Sequence, residues 1–200
     1  MEWTKSSVDD MLDVRVGVRY KLKAAMGVSG LFRADLETKS WLRVVALVDK
    51  IPQSLRATRA EDVVVLGLFH RGTCELSARL RSDLLRVGDT SEIKCRIENR
   101  SDKRVRGLSA YLYQDVRITP IQGGGDTRVY TFTVGETRLL GCESRETAEL
   151  VLQLPIGVGS SNVVATHHGD LVHIGYRVRV KASQSLAPST KVEFPVTLCA

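Results

Sequence analysis

The stretch from Asp83 to Pro120 constrains this chain most, because apolar residues fall at every second position on either side of one polar turn. Before the turn, Ile93, Cys95 and Ile97 alternate with Glu92, Lys94, Arg96 and Glu98. After it, Leu108, Ala110, Leu112, Gln114, Val116 and Ile118 alternate with Ser109, Tyr111, Tyr113, Asp115 and Arg117. Successive strand side chains point to opposite faces, so each segment reads as a strand with one core face and one wet face. The polar cluster Asn99-Arg100-Ser101-Asp102-Lys103 reads as the turn between them. Val87-Gly88-Asp89 reads as a turn ahead of the first strand.

The same pattern recurs along the chain. Val14, Val16, Val18, Tyr20, Leu22 and Ala24 alternate with Arg15, Gly17, Arg19, Lys21 and Lys23. Cys74, Leu76, Ala78 and Leu80 alternate with Glu75, Ser77, Arg79 and Arg81, and Val192, Phe194, Val196 and Leu198 share one phase. Further strands are expected at Leu42 to Val48, Arg128 to Val134, Glu146 to Leu154 and Val172 to Val180. Val63 to Phe69 reads as a short continuous apolar strand, and Val8 to Leu12 as one helical turn. Many short alternating strands between Gly and polar turns predict an all-β chain, an antiparallel immunoglobulin-like β-sandwich preceded by a few N-terminal strands. Residues 53–62, polar and helix-tolerant, are expected to be a linker, with 1–52 before it and the sandwich, 63–200, after it.

The net charge of +6 favours acidic partners: phosphopeptides, anionic lipid heads or nucleic acid. The basic residues are spread along strands, so a solvated face is the plain alternative. Aromatics make up only 6% of the chain and no reading motif is present, which argues against nucleic acid. Cys74, Cys95, Cys142 and Cys199 form no C-x-x-C pair and read as reduced cysteines in a cytosolic compartment. Asn99-Arg100-Ser101 fits a glycosylation pattern but, without a secretory route, reads as a turn. The start, MEWTKSSVDD, has no basic-then-apolar signal, and Glu2 stands where myristoylation needs glycine. No apolar run approaches the roughly 20 residues of a spanning helix.

Several segments together carry a family resemblance: GVRYKLKAA (Gly17 to Ala25), SWLRVVALVDKIP (Ser40 to Pro52), the strand-turn-strand of Asp83 to Pro120, TRVYTFTV (Thr127 to Val134), HIGYRVRVKA (His173 to Ala182) and KVEFPVTLCA (Lys191 to Ala200). In that order they resemble the late N-domain strands and the C-terminal domain of arrestins. The resemblance implies an arrestin C-domain-like sandwich after a remnant of the N-domain, closest to the α-arrestin or arrestin-domain-containing type. The polar core of receptor-binding arrestins is not implied. Ala46 stands where its arginine would be, and Leu150 to Thr166 contains no Asp or Glu. The five prolines are never adjacent, so the Pro-Pro-x-Tyr motif for WW domains is absent.

Candidate chemistry is sparse. His167, His168, Asp170 and His173 are close enough in sequence to consider a metal, but a His-His pair in a loop lacks fixed geometry, and a polar hairpin is the plainer reading. Gly123-Gly124-Gly125-Asp126 is followed by a strand rather than the helix a phosphate cradle requires. Cys142 has no neighbouring His to activate it. No catalytic residue, cofactor or metal site is assigned.

Arg15, Arg19, Lys21 and Lys23, on one face of one strand, are the candidate partner-binding residues, with a wet sheet face as their alternative. Arg177 and Arg179 repeat the pattern in the later domain. The expected function, implied by the resemblance, is a non-enzymatic adaptor or scaffold. It would bind acidic or phosphorylated cytoplasmic tails of membrane cargo or signalling proteins, in transport, endocytosis or desensitisation. Strand-edge pairing and the basic face would supply the contacts. The expected location is the cytoplasm, with at most peripheral contact at endosomal or plasma membrane. The competing readings are a structural subunit completed by a partner chain or self-associating through strand edges, and, last, an enzyme using the histidines.

Overall fold

Side-chain alternation decides the architecture, because a sheet with one apolar face must cover that face with another layer. The computed structural model describes residues 20–27, 36–42, 49–119, 126–157 and 163–199, and the chain divides into two units, Met1–Leu47 and Val48–Ala200. In the first unit, β1 (Tyr20–Met26) pairs antiparallel with β2 (Leu36–Leu42), Tyr20 opposite Leu42 and Met26 opposite Leu36. The expected helical turn at Val8 to Leu12, the start of the Val14 to Ala24 strand and all but the first residue of the Leu42 to Val48 strand lie outside the described residues.

The second unit holds two sheets. One has the order β3 (Leu55–Val65), β4 (Phe69–Leu80), β6 (Thr90–Asn99) and β9 (Thr147–Pro155), all antiparallel. The other runs β5 (Leu84–Arg86), β12 (Thr190–Cys199), β11 (Val172–Gln184), β7 (Val105–Ile118) and β8 (Arg128–Leu140), with β10 (His167–His168) beside β11. Its pairs are antiparallel except β5 with β12, which run parallel. The all-β antiparallel sandwich read from the sequence is thus the observed fold.

The core sits between the inner faces. Leu76, Ile93, Ile97, Leu152 and Leu154 come from one sheet and Leu108, Leu112, Val178, Phe194 and Leu198 from the other, each at most 2% exposed. Between them, Lys94, Arg96 and Arg117 remain exposed, as the period of two requires. The sheets approach along the β8–β9 side, where a Cβ on Gly135 would collide with the Pro155 carbonyl. The Asn99–Lys103 turn is more than a polar surface loop. Asn99 and Ser101 are buried, and the Asn99 amide donates to the carbonyls of Lys103 (2.7 Å) and Glu143 (2.8 Å). Its Oδ1 accepts from the Ser101 hydroxyl (2.7 Å), so one side chain closes the turn and ties it to the β8–β9 connection.

Two expectations are corrected. Most of the stretch read as a linker, 53–62, is strand: Leu55 to Asp62 pair residue by residue with β4, from Leu55 opposite Leu80 to Asp62 opposite Thr73. Polar side chains concealed it, because an edge strand on a sheet's border needs only a half-buried inner face. The Val63 to Phe69 run is not one strand. It breaks after Val65, and Leu66 and Gly67 take φ angles of 54° and 72° in the turn between β3 and β4.

The chain entering β3 is anchored at Asp83. This buried carboxylate meets Lys50 Nζ at 2.7 Å and accepts from the Gln53 N–H (2.9 Å). The ammonium and then that N–H hold it below the usual carboxylate range. A group depressed in the folded state adds stability above its unfolded pKa and loses it as pH falls through the folded one. Acid titration of stability should therefore show a loss below about pH 4, and Asp83→Asn should flatten part of that slope. Leu112→Ala and Leu152→Ala, both fully buried, should each cost about 2–5 kcal/mol in denaturant unfolding. A cost near zero at both would contradict the core described here.

Candidate functional site

The strand faces and turns of the second unit present surfaces of distinct chemistry, and the first unit presents another. On β1, Lys21 and Lys23 share one face, as expected, and both are exposed. Lys23 Nζ lies 2.6 Å from Glu37 on β2, and Lys21 Nζ sits 5.4 Å from the Trp41 ring centre. Arg15 and Arg19 lie outside the described residues. The opposite face of the ribbon carries Leu22, Met26, Leu36 and Leu42, all 48–62% exposed.

On the outer face of the six-stranded sheet, Arg177 and Arg179 follow the expected pattern but are not free cations. Arg177 Nε donates to Asp115 (2.8 Å), and Arg177 and Arg179 both reach Glu193. Their guanidinium groups lie 4.7 and 4.9 Å from the Tyr113 ring centre, which stacks with Tyr111 at 5.8 Å. Burial pulls Asp115 upward, but hydrogen bonds from Arg177 and Thr131 outweigh it and leave the carboxyl below its ordinary value. Each of these two arginines is neutralised by an acid one strand away, whereas Lys181 and Lys191 stand directly opposite each other further along the same face.

The other candidate chemistry takes structural form. His167 and His168 pair with Ile174 and His173 as a short hairpin, with His168 Nδ1 3.1 Å from His173 Nδ1. Burial first, then the neighbouring His168 and Arg117, lower the His173 pKa, so the ring favours its neutral form. No three metal-ligating side chains converge among the described residues. Burial raises the thiols of Cys95 to about 12 and Cys142 to about 11, leaving neither as a thiolate. The glycines at 123–125 lie outside the described residues.

The surface that sequence reading missed is one end of the sandwich. Leu66 and Leu68 in the β3–β4 turn are 66% and 80% exposed, Phe69 beside them 54%, and Leu186 in the β11–β12 turn 72%. The two turns are joined, since the Leu66 N–H donates to the Leu186 carbonyl (3.2 Å). Both leucines have positive φ, 54° and 57°, a conformation that costs a residue with a Cβ about 1–2 kcal/mol. Large apolar side chains therefore stand in water on strained backbone, where Asn or Gly would serve the turn better. The sequence signal was Gly67 inside the apolar run, which marks a break in a strand. Arg71 flanks this end, its guanidinium 5.9 Å from the Phe69 ring centre.

Comparison with known proteins gives one family. A model described as "Arrestin (or S-antigen), C-terminal domain" matches residues 70–200. That span starts inside β4 and leaves β3 outside, although β3 pairs along nearly all of β4. No curated protein matches the chain in sequence.

If the leucines of this end serve a purpose other than folding, removing them should not weaken the fold. Leu66→Asn should leave stability unchanged or raise it by about 0.5–1 kcal/mol, by relieving the left-handed strain. A loss above about 1 kcal/mol in thermal or denaturant unfolding would make Leu66 a packing residue.

Proposed function

The chain belongs to the arrestin family through that C-terminal domain, a family of protein-binding adaptors, and from this we propose that it is a non-enzymatic adaptor working at the cytoplasmic face of a membrane. It binds acidic or phosphorylated cytoplasmic tails of cargo or signalling proteins and serves their sorting, endocytosis or desensitisation. No helix among the described residues is long and apolar enough to cross a bilayer, so the contact proposed is peripheral.

One observation carries this reading: the end formed by Leu66, Leu68, Phe69 and Leu186. Exposed leucines on strained backbone are a cost with no return inside the sandwich, and burial in an apolar phase recovers about 1.5–3 kcal/mol per large side chain. Turn tips pointing away from a rigid sandwich suit the interfacial zone of a bilayer, and Arg71 beside them suits anionic headgroups. An adaptor held there stands where cytoplasmic tails emerge.

Vesicle co-sedimentation tests it. The full chain should pellet with phosphatidylcholine vesicles containing phosphatidylserine, and Leu68→Ser with Leu186→Asn should lower the partition by about tenfold or more, the equivalent of 1.4 kcal/mol. Equal pelleting of the two proteins, with both folded, would refute the apolar contact.

A specific observation favours a second reading, the assembly subunit completed by a partner. The β1–β2 ribbon leaves Leu22, Met26, Leu36 and Leu42 exposed on one face, and a two-stranded sheet has little stability unless such a face is covered. Light scattering over a concentration series decides for self-association if mass rises with concentration and Leu36→Ser abolishes the rise.

A further inference from the structure

The outer face of the four-stranded sheet places like charges opposite one another. Arg56 on β3 is in register with Arg79 on β4, and Arg79 with Lys94 on β6. All three are exposed and, with neighbouring strands about 5 Å apart, they form a cationic row about 10 Å long across the sheet. Arg96, in the next row of β6 and opposite Glu149 on β9, adds a fourth exposed cation on the same face.

Like charges directly opposite one another destabilise a sheet, and the chain does little to offset these. Arg79 Nε donates to the neutral Ser54 hydroxyl (3.2 Å), and Lys94 reaches Glu92 only at 3.8 Å. Among the described residues, no carboxylate lies within ion-pair distance of Arg56, Arg79 or Arg96. Lys181 and Lys191 make one more facing pair on the six-stranded sheet, but no second row of three occurs among the described strand pairs, and several arginines are matched more closely. Arg100 holds Glu98 further along this face, and Arg177 and Arg179 are closed by Asp115 and Glu193 on the other sheet.

We propose that the row Arg56–Arg79–Lys94, with Arg96 beside it, is a docking surface for an extended acidic peptide segment. The inference rests on the adaptor reading and assigns the tail-binding site within it. Alternate side chains of an extended peptide lie about 7 Å apart. Two acidic residues separated by one other therefore fit within the row, each between two cations. Carboxylates serve, and phosphoserine adds charge and acceptors for the guanidinium groups. A peptide fits better than a bilayer, because the face offers no cluster of large apolar side chains to insert; the exposed apolar group lies at the β3–β4 turn, about ten residues along β3 and roughly 30 Å away. Bases would find no aromatic ring there to stack on. Arg56 precedes the span matched by the family model, so the complete row depends on the strand that the family pattern does not cover.

Fluorescence anisotropy with the full chain tests this. The probes are a labelled peptide with a Glu-x-Glu-x-Glu core, its phosphoserine counterpart and a serine-only control, each at low and physiological salt. Arg79→Gln with Lys94→Gln should weaken binding of both acidic peptides about tenfold or more and reduce the salt dependence. The charge-matched control, Arg59→Gln with Arg138→Gln, should change it less than about twofold. The row variant should keep or raise the thermal midpoint, since its like charges no longer face each other. Equal weakening by both variants, or none by the row variant, overturns the site. Loss through Lys21→Gln with Lys23→Gln instead moves acidic-tail binding to the first unit and leaves the adaptor reading standing. No preference for either acidic peptide over the serine control overturns the site and tail binding together. Loss of phosphatidylserine-vesicle binding by the row variant, with peptide binding intact, assigns the row to the membrane and overturns the proposal.

Discussion

The pairing of β7 with β11 organises the second unit. The two strands stay in register from Ile118 opposite Val172 to Gly107 opposite Ser183, with an irregularity only at the last pair. On the inner face they put Leu108, Ala110 and Leu112 against Ala182, Val180 and Val178, all fully buried. On the outer face the same ladder sets Tyr113 opposite Arg177 and Tyr111 opposite Arg179. Register cannot shift by one residue without turning these sets inside out, so a single ladder specifies both the core and the charged surface. Gln114, buried in the same strand, donates to the Tyr176 hydroxyl, which in turn donates to the Val164 carbonyl. The ladder thereby also fixes the segment that leads to β10.

The arginines of β11 and those of β3 and β4 are matched differently. On the six-stranded sheet, Asp115 and Glu193 sit on strands beside β11 and neutralise its arginines across strands, with Tyr113 supplying a ring face. On the four-stranded sheet, Arg56, Arg79 and Lys94 face one another across three strands although acids stand a few positions away. Interleaving them would have been the stabilising arrangement. The apolar end shows the same departure in another currency, with leucines in turns whose backbone favours glycine or asparagine. Sites that break a local rule without an internal gain are where an external partner is the economical explanation.

Much of this was legible because strand periodicity is a property of consecutive residues. The buried phases of β6, β7, β11 and β12 follow directly from alternation in Ile93–Ile97, Leu108–Val116, Ile174–Ala182 and Val192–Leu198. What misled was local composition. Arg56, Thr58 and Arg59 looked like linker because an edge strand shows one face to solvent and borders only one neighbour. Val63 to Phe69 looked continuous because apolar content does not report φ, and only the turn at Leu66 and Gly67 put its later half into water. Asn99 looked like a surface turn residue, although its amide is consumed by carbonyls on two segments.

The sequence by itself determined the fold class and, for β4, β6, β7, β11 and β12, which strand phase is buried, and its ordered segments carried the family. Those properties need only neighbours in the chain. Tertiary structure alone decided which charges are matched. Arg177 meets Asp115 and Glu193 across 62 and 16 residues of chain, whereas Arg79, equally basic in sequence, faces Arg56 and Lys94. It also decided that Leu66 and Leu186 meet at one end. Cross-strand register and turn packing set those distances, and neither is written in the spacing of residues along the chain.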